Sequence, residues 1–220
     1  TIHEQPFAAT YARRAFPCFD EPSLKTPYDV EVEAPTGMVV VANAPESNIV
    51  TAAEHTLALL MALARNVPQA DSALKGGEWA RSRYGGVEVY EKTLGILGFG
   101  RIGQLVAQRA KGFEMKVIAY DPFVSAERYA ELGIEKASDE AEVLAAADFL
   151  TIHLPNTPDT KGFMNAERFA QMKDGARFLN VARGGLVDYD ALLDALKSGK
   201  LAGAGLDVFA SEPMTESPLF

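Results

Sequence analysis

A doubly wound parallel sheet of the α/β class, preceded by a short N-terminal β segment, is the fold this sequence predicts. Three observations carry the prediction. Brief apolar runs alternate with helix-like segments from Thr93 onward. One of those runs opens into a Gly-x-Gly-x-x-Gly loop at Gly98, Gly100 and Gly103. The first 46 residues have a different texture, punctuated by Pro6, Pro17, Pro22, Pro27, Pro35 and Pro45. Strands alternating with helices at this spacing are joined by right-handed crossovers, which makes the sheet parallel and covers both of its faces.

In chain order, Tyr28-Asp29-Val30-Glu31-Val32-Glu33 alternates as a strand does, and Val39 to Ala42 is a second short candidate. Asn43 to Ser47 is a turn-rich junction, so residues 1–46 form a β segment and residues 47–220 a separate domain. Ala52 to Ala64 has the apolar density of a helix, and Gln69 to Tyr90 is a polar connector. Strands follow at Leu94–Gly98, Lys116–Tyr120, Phe149–His153, Arg177–Val181 and Ala202–Leu206. Helices are expected near Ile102–Lys111, Ala126–Leu132, Glu140–Ala146, Ala166–Met172 and Asp190–Ser198. In such sheets ligands bind beyond the carboxyl ends of the strands, so functional residues should stand just after each strand.

Composition narrows the partners. With 48% hydrophobic and 23% charged residues among 220, the chain has the balance of a folded globular protein. The 30 acidic residues outnumber the 21 basic ones, giving a net charge of -9, and no basic run occurs. Nucleic-acid and anionic-membrane surfaces are therefore disfavoured, leaving small molecules and other protein chains. A lone cysteine, Cys18, allows neither an internal disulfide nor a cysteine-rich zinc site and suits a reducing cytosol. No apolar run reaches the roughly 18 residues of a membrane span, and the start lacks a signal-peptide pattern. The expected compartment is cytoplasmic, with no metal.

The glycine loop carries the first chemistry. An apolar strand precedes it, a helix follows it, and Asp121 ends the next strand, 18 residues beyond Gly103 (121 minus 103). That context is the Rossmann dinucleotide fingerprint. Gly98 permits the tight turn, Gly100 lets a pyrophosphate approach the backbone, and Gly103 lets the helix pack close to the strand. The helix N-terminus turns its free N–H groups toward the diphosphate, with Arg101 and Ile102 at the loop tip. Asp121 can accept hydrogen bonds from both ribose hydroxyls and repels a 2′-phosphate, so the expected cofactor is NAD and not NADP.

Several blocks, in order and in register, carry a family resemblance: Ser47-Asn-Ile-Val-Thr-Ala-Ala-Glu-His55-Thr, Lys92 through Gly103, Ala119-Tyr-Asp-Pro122, His153-Leu-Pro155, Asn180-Val-Ala-Arg183-Gly-Gly-Leu-Val-Asp188, Gly205-Leu-Asp-Val-Phe209 and Ser211-Glu212-Pro213. Over about residues 45–220 the sequence resembles the D-2-hydroxyacid dehydrogenases, in their D-3-phosphoglycerate dehydrogenase branch. The resemblance implies hydride transfer between NAD and C2 of a small 2-hydroxy or 2-oxo acid, 3-phosphoglycerate of serine biosynthesis in that branch. It assigns Arg183 to the substrate carboxylate and carbonyl, which its planar fork can hold together. It assigns Glu212 to orienting a catalytic histidine and tuning its pKa. Asp207 matches the aspartate near the nicotinamide carboxamide. Val181, Ala182, His153, Leu154 and Pro155 match loops that line the cofactor.

The family's acid–base histidine lies on a Pro-His loop after one further strand. None of His3, His55 and His153 matches it, so an isolated chain ending at Phe220 is expected to bind cofactor better than it turns over substrate. His153, ending a strand, and His55, on a buried-looking helix, read as structural residues. The resemblance also implies a homodimer or homotetramer through the nucleotide-binding domains, for which Trp79 and the Ala52–Ala64 helix are the candidate surface. Arg81 and Arg83 beside Trp79 suit a phosphorylated substrate, a second subunit or plain solvent equally well.

The head of the chain resembles something else. Ala12-Arg13-Arg14-Ala15-Phe16-Pro17-Cys18-Phe19-Asp20-Glu21-Pro22 and Tyr28 through Pro35 are similar to the N-terminal β domain of the zinc aminopeptidases that include aminopeptidase N. The His-Glu-x-x-His zinc motif of that family is absent, so neither a metal site nor peptidase activity is expected. Two resemblances meeting near Gly37–Pro45 suggest a fusion, a recombinant or mis-assembled reading frame, or a designed chimera.

Overall fold

A computed structural model describes residues 48–214 and 216–219 of the chain. The chain divides into two compact units, residues 1–50 and 51–220, and the elements below belong almost wholly to the second. The N-terminal β segment expected over residues 1–46 lies outside the described residues.

Helix α1 (Ile49–Arg65) ends at Asn66, whose backbone is left-handed (φ 53°), and α2 (Val67–Lys75) starts at once with Pro68 in its first turn. The connector expected from Gln69 onward is therefore partly helical, with a further 3-10 turn at Arg81–Tyr84. Pro68 reads in sequence as a helix breaker, whereas in a first turn its missing N–H costs nothing.

The repeating unit then follows: β1 (Thr93–Leu97), α3 (Arg101–Gly112), β2 (Lys116–Tyr120), α4 (Ala126–Leu132), β3 (Glu135–Lys136), α5 (Glu140–Ala146), β4 (Phe149–Ile152), α6 (Ala166–Gln171), β5 (Ala176–Asn180), α7 (Tyr189–Lys197) and β6 (Leu201–Leu206). All five expected strands are present to within a residue at each end. The two-residue edge strand β3 was not anticipated. The six strands are parallel in the order β3-β2-β1-β4-β5-β6. The order reverses at β1, which pairs with both β2 and β4, so a crevice opens above the carboxyl ends of β1 and β4.

Period-two alternation sends neighbouring strand residues into two cores. On one face Leu94, Ile96, Val117, Ala119, Phe149 and Leu179 pack with α1 and α3 through Leu57, Leu60, Val106 and Ala110. On the other, Leu97, Ile118, Leu150, Ile152 and Phe178 pack with α5, α6 and α7 through Val143, Phe169 and Leu192. Gly95 is needed on this second face, because a Cβ there would stand 2.8 Å from that of Ala147. Two buried faces make a rigid platform, and in such sheets ligands bind at the carboxyl edge.

Helices α4 to α7 each begin with a side-chain cap, from Ser125, Asp139, Asn165 and Asp188 respectively. No side chain caps α3, which starts at the glycine loop. Among the described residues no helix is long and apolar enough to cross a membrane.

Candidate functional site

The three loop glycines are held by different causes. Gly98 has φ +90°, and a Cβ on it would lie 2.7 Å from the carbonyl oxygen of His153, the residue just past β4 next door. Gly103 sits so close under the turn that a Cβ would come within 2.4 Å of the Gly98 carbonyl oxygen. Gly100 has an ordinary backbone (φ -70°, ψ -162°), and a Cβ there would meet no atom within 4 Å. Packing thus demands the first and third glycines, while the second faces open space beside the uncapped start of α3. Arg101 and Gly100 are exposed at that tip and Ile102 is half-buried.

The loop is braced from below. Phe99 is fully buried and stacks on Tyr129 at 4.4 Å between centroids. Gln104 donates from Nε2 to the Phe99 carbonyl (2.9 Å), and its Oε1 accepts from Arg128 Nε and Nη2 at 3.0 and 2.9 Å. Asp121, at the end of β2, accepts from the Phe99 N–H through Oδ2 and from the Phe123 N–H through Oδ1, both at 2.9 Å. A carboxylate fixed through both oxygens keeps lone pairs for outside donors and stays in one orientation.

Across the switch point, His153 is fastened by its N–H to the Leu97 carbonyl (2.8 Å) and by its ring Nε2 to Thr151 Oγ1 (3.1 Å). Burial pushes its imidazole down to about 4, so the ring is neutral at pH 7. Leu154 and Pro155 continue this loop toward the surface.

The turn after β5 is shaped by buried Asn180. Its side chain accepts from the Ala182 N–H and donates to the Arg183 carbonyl, each at 3.0 Å. Val181 and Ala182 are half-buried here. Arg183 is exposed, donates from Nη1 to the Ala182 carbonyl (2.7 Å) and forms no ion pair among the described residues. Gly184 lets this turn touch the loop after β6: a Cβ there would stand 2.0 Å from the Phe209 carbonyl carbon. In that second loop Glu212 Oε1 accepts from the Phe209 N–H (3.0 Å) and Tyr189 donates to the Val208 carbonyl (3.1 Å). Burial raises the Tyr189 phenol, which keeps it a donor.

Asp207, the first residue past β6, is tied by its N–H to the Asn180 carbonyl (3.1 Å), and its Oδ1 lies 3.1 Å from His55 Nε2. His55 is therefore not the buried residue its apolar helix suggests; it is exposed at the edge of α1 and bonded to a candidate cofactor residue.

Every residue singled out after a strand stands on the same carboxyl edge: Gly98 to Gly103 after β1, Asp121 after β2, His153 to Pro155 after β4, Val181 to Arg183 after β5, and Asp207 and Glu212 after β6. Sequence reasoning missed the supports, namely Asn180, Gln104, Phe99 and the His55 contact. Asn180 alone had a usable signal, a polar residue at the end of an apolar strand.

Comparison with known proteins bears on the domain as a whole. The family model described as D-isomer specific 2-hydroxyacid dehydrogenase, NAD binding domain, matches residues 57–220. The model described as Peptidase M1 N-terminal domain matches residues 5–57. The chain is similar to D-3-phosphoglycerate dehydrogenase of Mycobacterium tuberculosis (strain ATCC 25618 / H37Rv), with 53% identity over 193 residues, 87% of this chain and 36% of that protein. It is also similar to D-3-phosphoglycerate dehydrogenase of Methanocaldococcus jannaschii, with 48% identity over 191 residues and the same two shares. The chain thus spans 36% of the length of these curated relatives. Among solved structures, D-lactate dehydrogenase from Aquifex aeolicus complexed with NAD and lactic acid superimposes with a TM-score of 0.71 at 38% identity, over 76% of this chain and 50% of that one.

Proposed function

We infer the function from one premise: this chain belongs to the D-isomer specific 2-hydroxyacid dehydrogenase family, through its NAD-binding domain. On that premise we propose that residues 47–220 hold NAD along the carboxyl edge and present it to a small 2-hydroxy or 2-oxo acid. The 3-phosphoglycerate of serine biosynthesis is the first candidate, because the curated relatives above carry that name. Residues 1–46 would be a separate domain joined to this one.

The observation that carries the reading is Asp121, fixed by two backbone N–H groups beside a glycine whose missing side chain the chain's own packing does not require. Its carboxylate accepts the adenosine ribose hydroxyls, and the open turn at Gly100 and the uncapped start of α3 receive the diphosphate, with Arg101 and Ile102 beside it. His153, Leu154, Pro155, Val181, Ala182 and Asp207 line the other half. When bound, NAD supplies the hydride acceptor, or as NADH the hydride donor. Arg183, exposed and without a carboxylate partner among the described residues, clamps the acid's carboxylate and carbonyl. Glu212 orients the acid–base group.

Replacing Asp121 by Ala tests the reading. NADH affinity is expected to drop by about 1.5–3 kcal/mol as a charge-assisted pair is lost, while NADPH gains relative to it. Unchanged affinity for both cofactors, measured by calorimetry, would sink the ribose assignment.

A second reading, NAD holding and self-association without turnover, is favoured by the described histidines. His153 is neutral and turned to Thr151, so it does not stand ready as the proton donor, and the Nε2 of His55 is already taken by Asp207. NADH binding without oxidation by any 2-oxo acid would select it. The self-association surface would include α1 and the exposed Val67, Leu74 and Trp79, the last 76% exposed. Arg83 there is already paired with Glu78 at 3.1 Å. We place the protein in the cytoplasm.

A further inference from the structure

Helix α1 and strand β6 lie in register. His55, Leu59 and Leu63, four residues apart, form one stripe of α1. Asp207, Gly205 and Gly203, two residues apart, share one side of β6 and its extension. A Cβ on Gly203 would come within 2.7 Å of Leu63 Cδ1, and one on Gly205 within 3.5 Å of Leu59 Cβ. The third rung of the same ladder is the contact of His55 Nε2 with Asp207 Oδ1 at 3.1 Å. Helical rise over four residues is about 6 Å and strand rise over two is about 6.6 Å, so the two repeats stay matched over three rungs. Two glycines bring the helix close enough for His55 to reach the carboxylate.

From this ladder we propose that His55 is a positioning residue for the nicotinamide half of the site: it holds Asp207 at the carboxyl end of β6, where the cofactor's amide-bearing ring would meet that carboxylate. The inference rests on the NAD reading above and deepens it. Asp121 and Asp207 stand after β2 and β6, on opposite sides of the reversal at β1, with β1, β4 and β5 between them. Four strand spacings make about 19 Å. A dinucleotide with its adenosine ribose on Asp121 must extend across β4 and β5 toward Asp207. Half-exposed on both partners, the bond leaves Asp207's second oxygen for an outside N–H donor. Asp207's own N–H is fastened to Asn180, so the backbone is fixed and the side chain's direction is what His55 adds.

The test uses the full 220-residue chain with two probes, NADH and ADP-ribose, the latter lacking the nicotinamide ring. His55→Ala is expected to weaken NADH about tenfold while ADP-ribose binds as in the wild type, the size expected when one hydrogen-bonded orientation is lost. His55→Gln, which keeps a donor, is expected to restore NADH to within about twofold. Loss of NADH and ADP-ribose together, no loss of NADH, or no rescue by Gln overturns the assignment. A wild-type chain that binds neither probe overturns the NAD reading and this inference with it; binding of ADP-ribose with a null result for His55→Ala overturns the inference alone.

Discussion

The two ends of the carboxyl edge are built differently. At the β1–β2 end the chain contacts itself: Gly98 lies against His153, Gly103 under Gly98, Phe99 on Tyr129, and both Asp121 oxygens take backbone N–H groups. At the β5–β6 end the backbone is equally well tied, through Asn180 and through Gly184 against Phe209, yet the charged side chains that follow the strands are exposed. Arg183, Asp207 and Glu212 are all exposed. The first end is therefore part of the folding energy, whereas the exposed side chains of the second contribute little to it. Substitutions at the two ends should separate stability from binding.

The largest expected effect lies at the packed end. Gly103→Ala puts a Cβ 2.4 Å from a backbone oxygen, which cannot yield as a flexible side chain would. Overpacking of this kind costs about 3 kcal/mol, read from the urea midpoint. A loss under about 0.5 kcal/mol would mean that α3 can slide and that the packed end is not rigid.

His153, between the two ends, gives a pH test of nearly the same size. Its folded-state value, about 4, lies below the 6.5 of an unperturbed imidazole. The unfolded chain therefore takes up a proton as pH falls through 6.5, whereas the folded chain declines it until about 4. Stability contributed by the neutral ring is complete above pH 6.5 and is lost across that window, at up to about 1.4 kcal/mol per pH unit. His153→Gln should flatten the slope between pH 6.5 and 4; an unaltered slope assigns the acid sensitivity elsewhere.

Gly100→Ala sharpens the contrast. With an allowed backbone and no atom within 4 Å, the methyl group should change stability by less than about 0.5 kcal/mol. NADH should nevertheless bind about tenfold more weakly, because the close approach of the diphosphate is blocked. Full NADH affinity in this variant would remove the cofactor from the loop tip.

Legibility in the sequence follows the same division. Strand–loop–helix units with two buried faces leave period and glycine signals, so five strands and the Gly98–Gly103 turn were readable to within a residue. The edge strand β3 is two exposed residues paired with Ile118 and Ala119, too short to leave a pattern. Helix α2 was hidden because Pro68 breaks or begins a helix depending on where the previous one stops. The candidate residues after β1 and β2 could be found from spacing alone, since packing dictates Gly98 and Gly103 and the motif places Gly100 and Asp121 relative to them. Arg183, Asp207 and Glu212 came only from resemblance, because exposed side chains leave no packing signal in the sequence. The exposure of His55 and its contact with Asp207 were not legible, because an apolar helix hides one polar stripe edge until its neighbour, β6, is known.

The smallest effect asks whether even the packed end is fully optimised. Tyr129 is 1% exposed, and no described group completes a hydrogen bond to its hydroxyl, whose ionisation burial pushes up to about 12. A buried hydroxyl without a partner forfeits its hydration, typically about 1 kcal/mol or more. Tyr129→Phe keeps the ring that stacks on Phe99 and removes only that penalty, so thermal stability should rise by up to about 1 kcal/mol with NADH affinity unchanged. A drop in stability would show that the hydroxyl finds a partner in solution. A drop in NADH affinity alone would instead make the hydroxyl part of the adenosine site behind Asp121, so that one buried group of the packed end is kept for the cofactor and not for the fold.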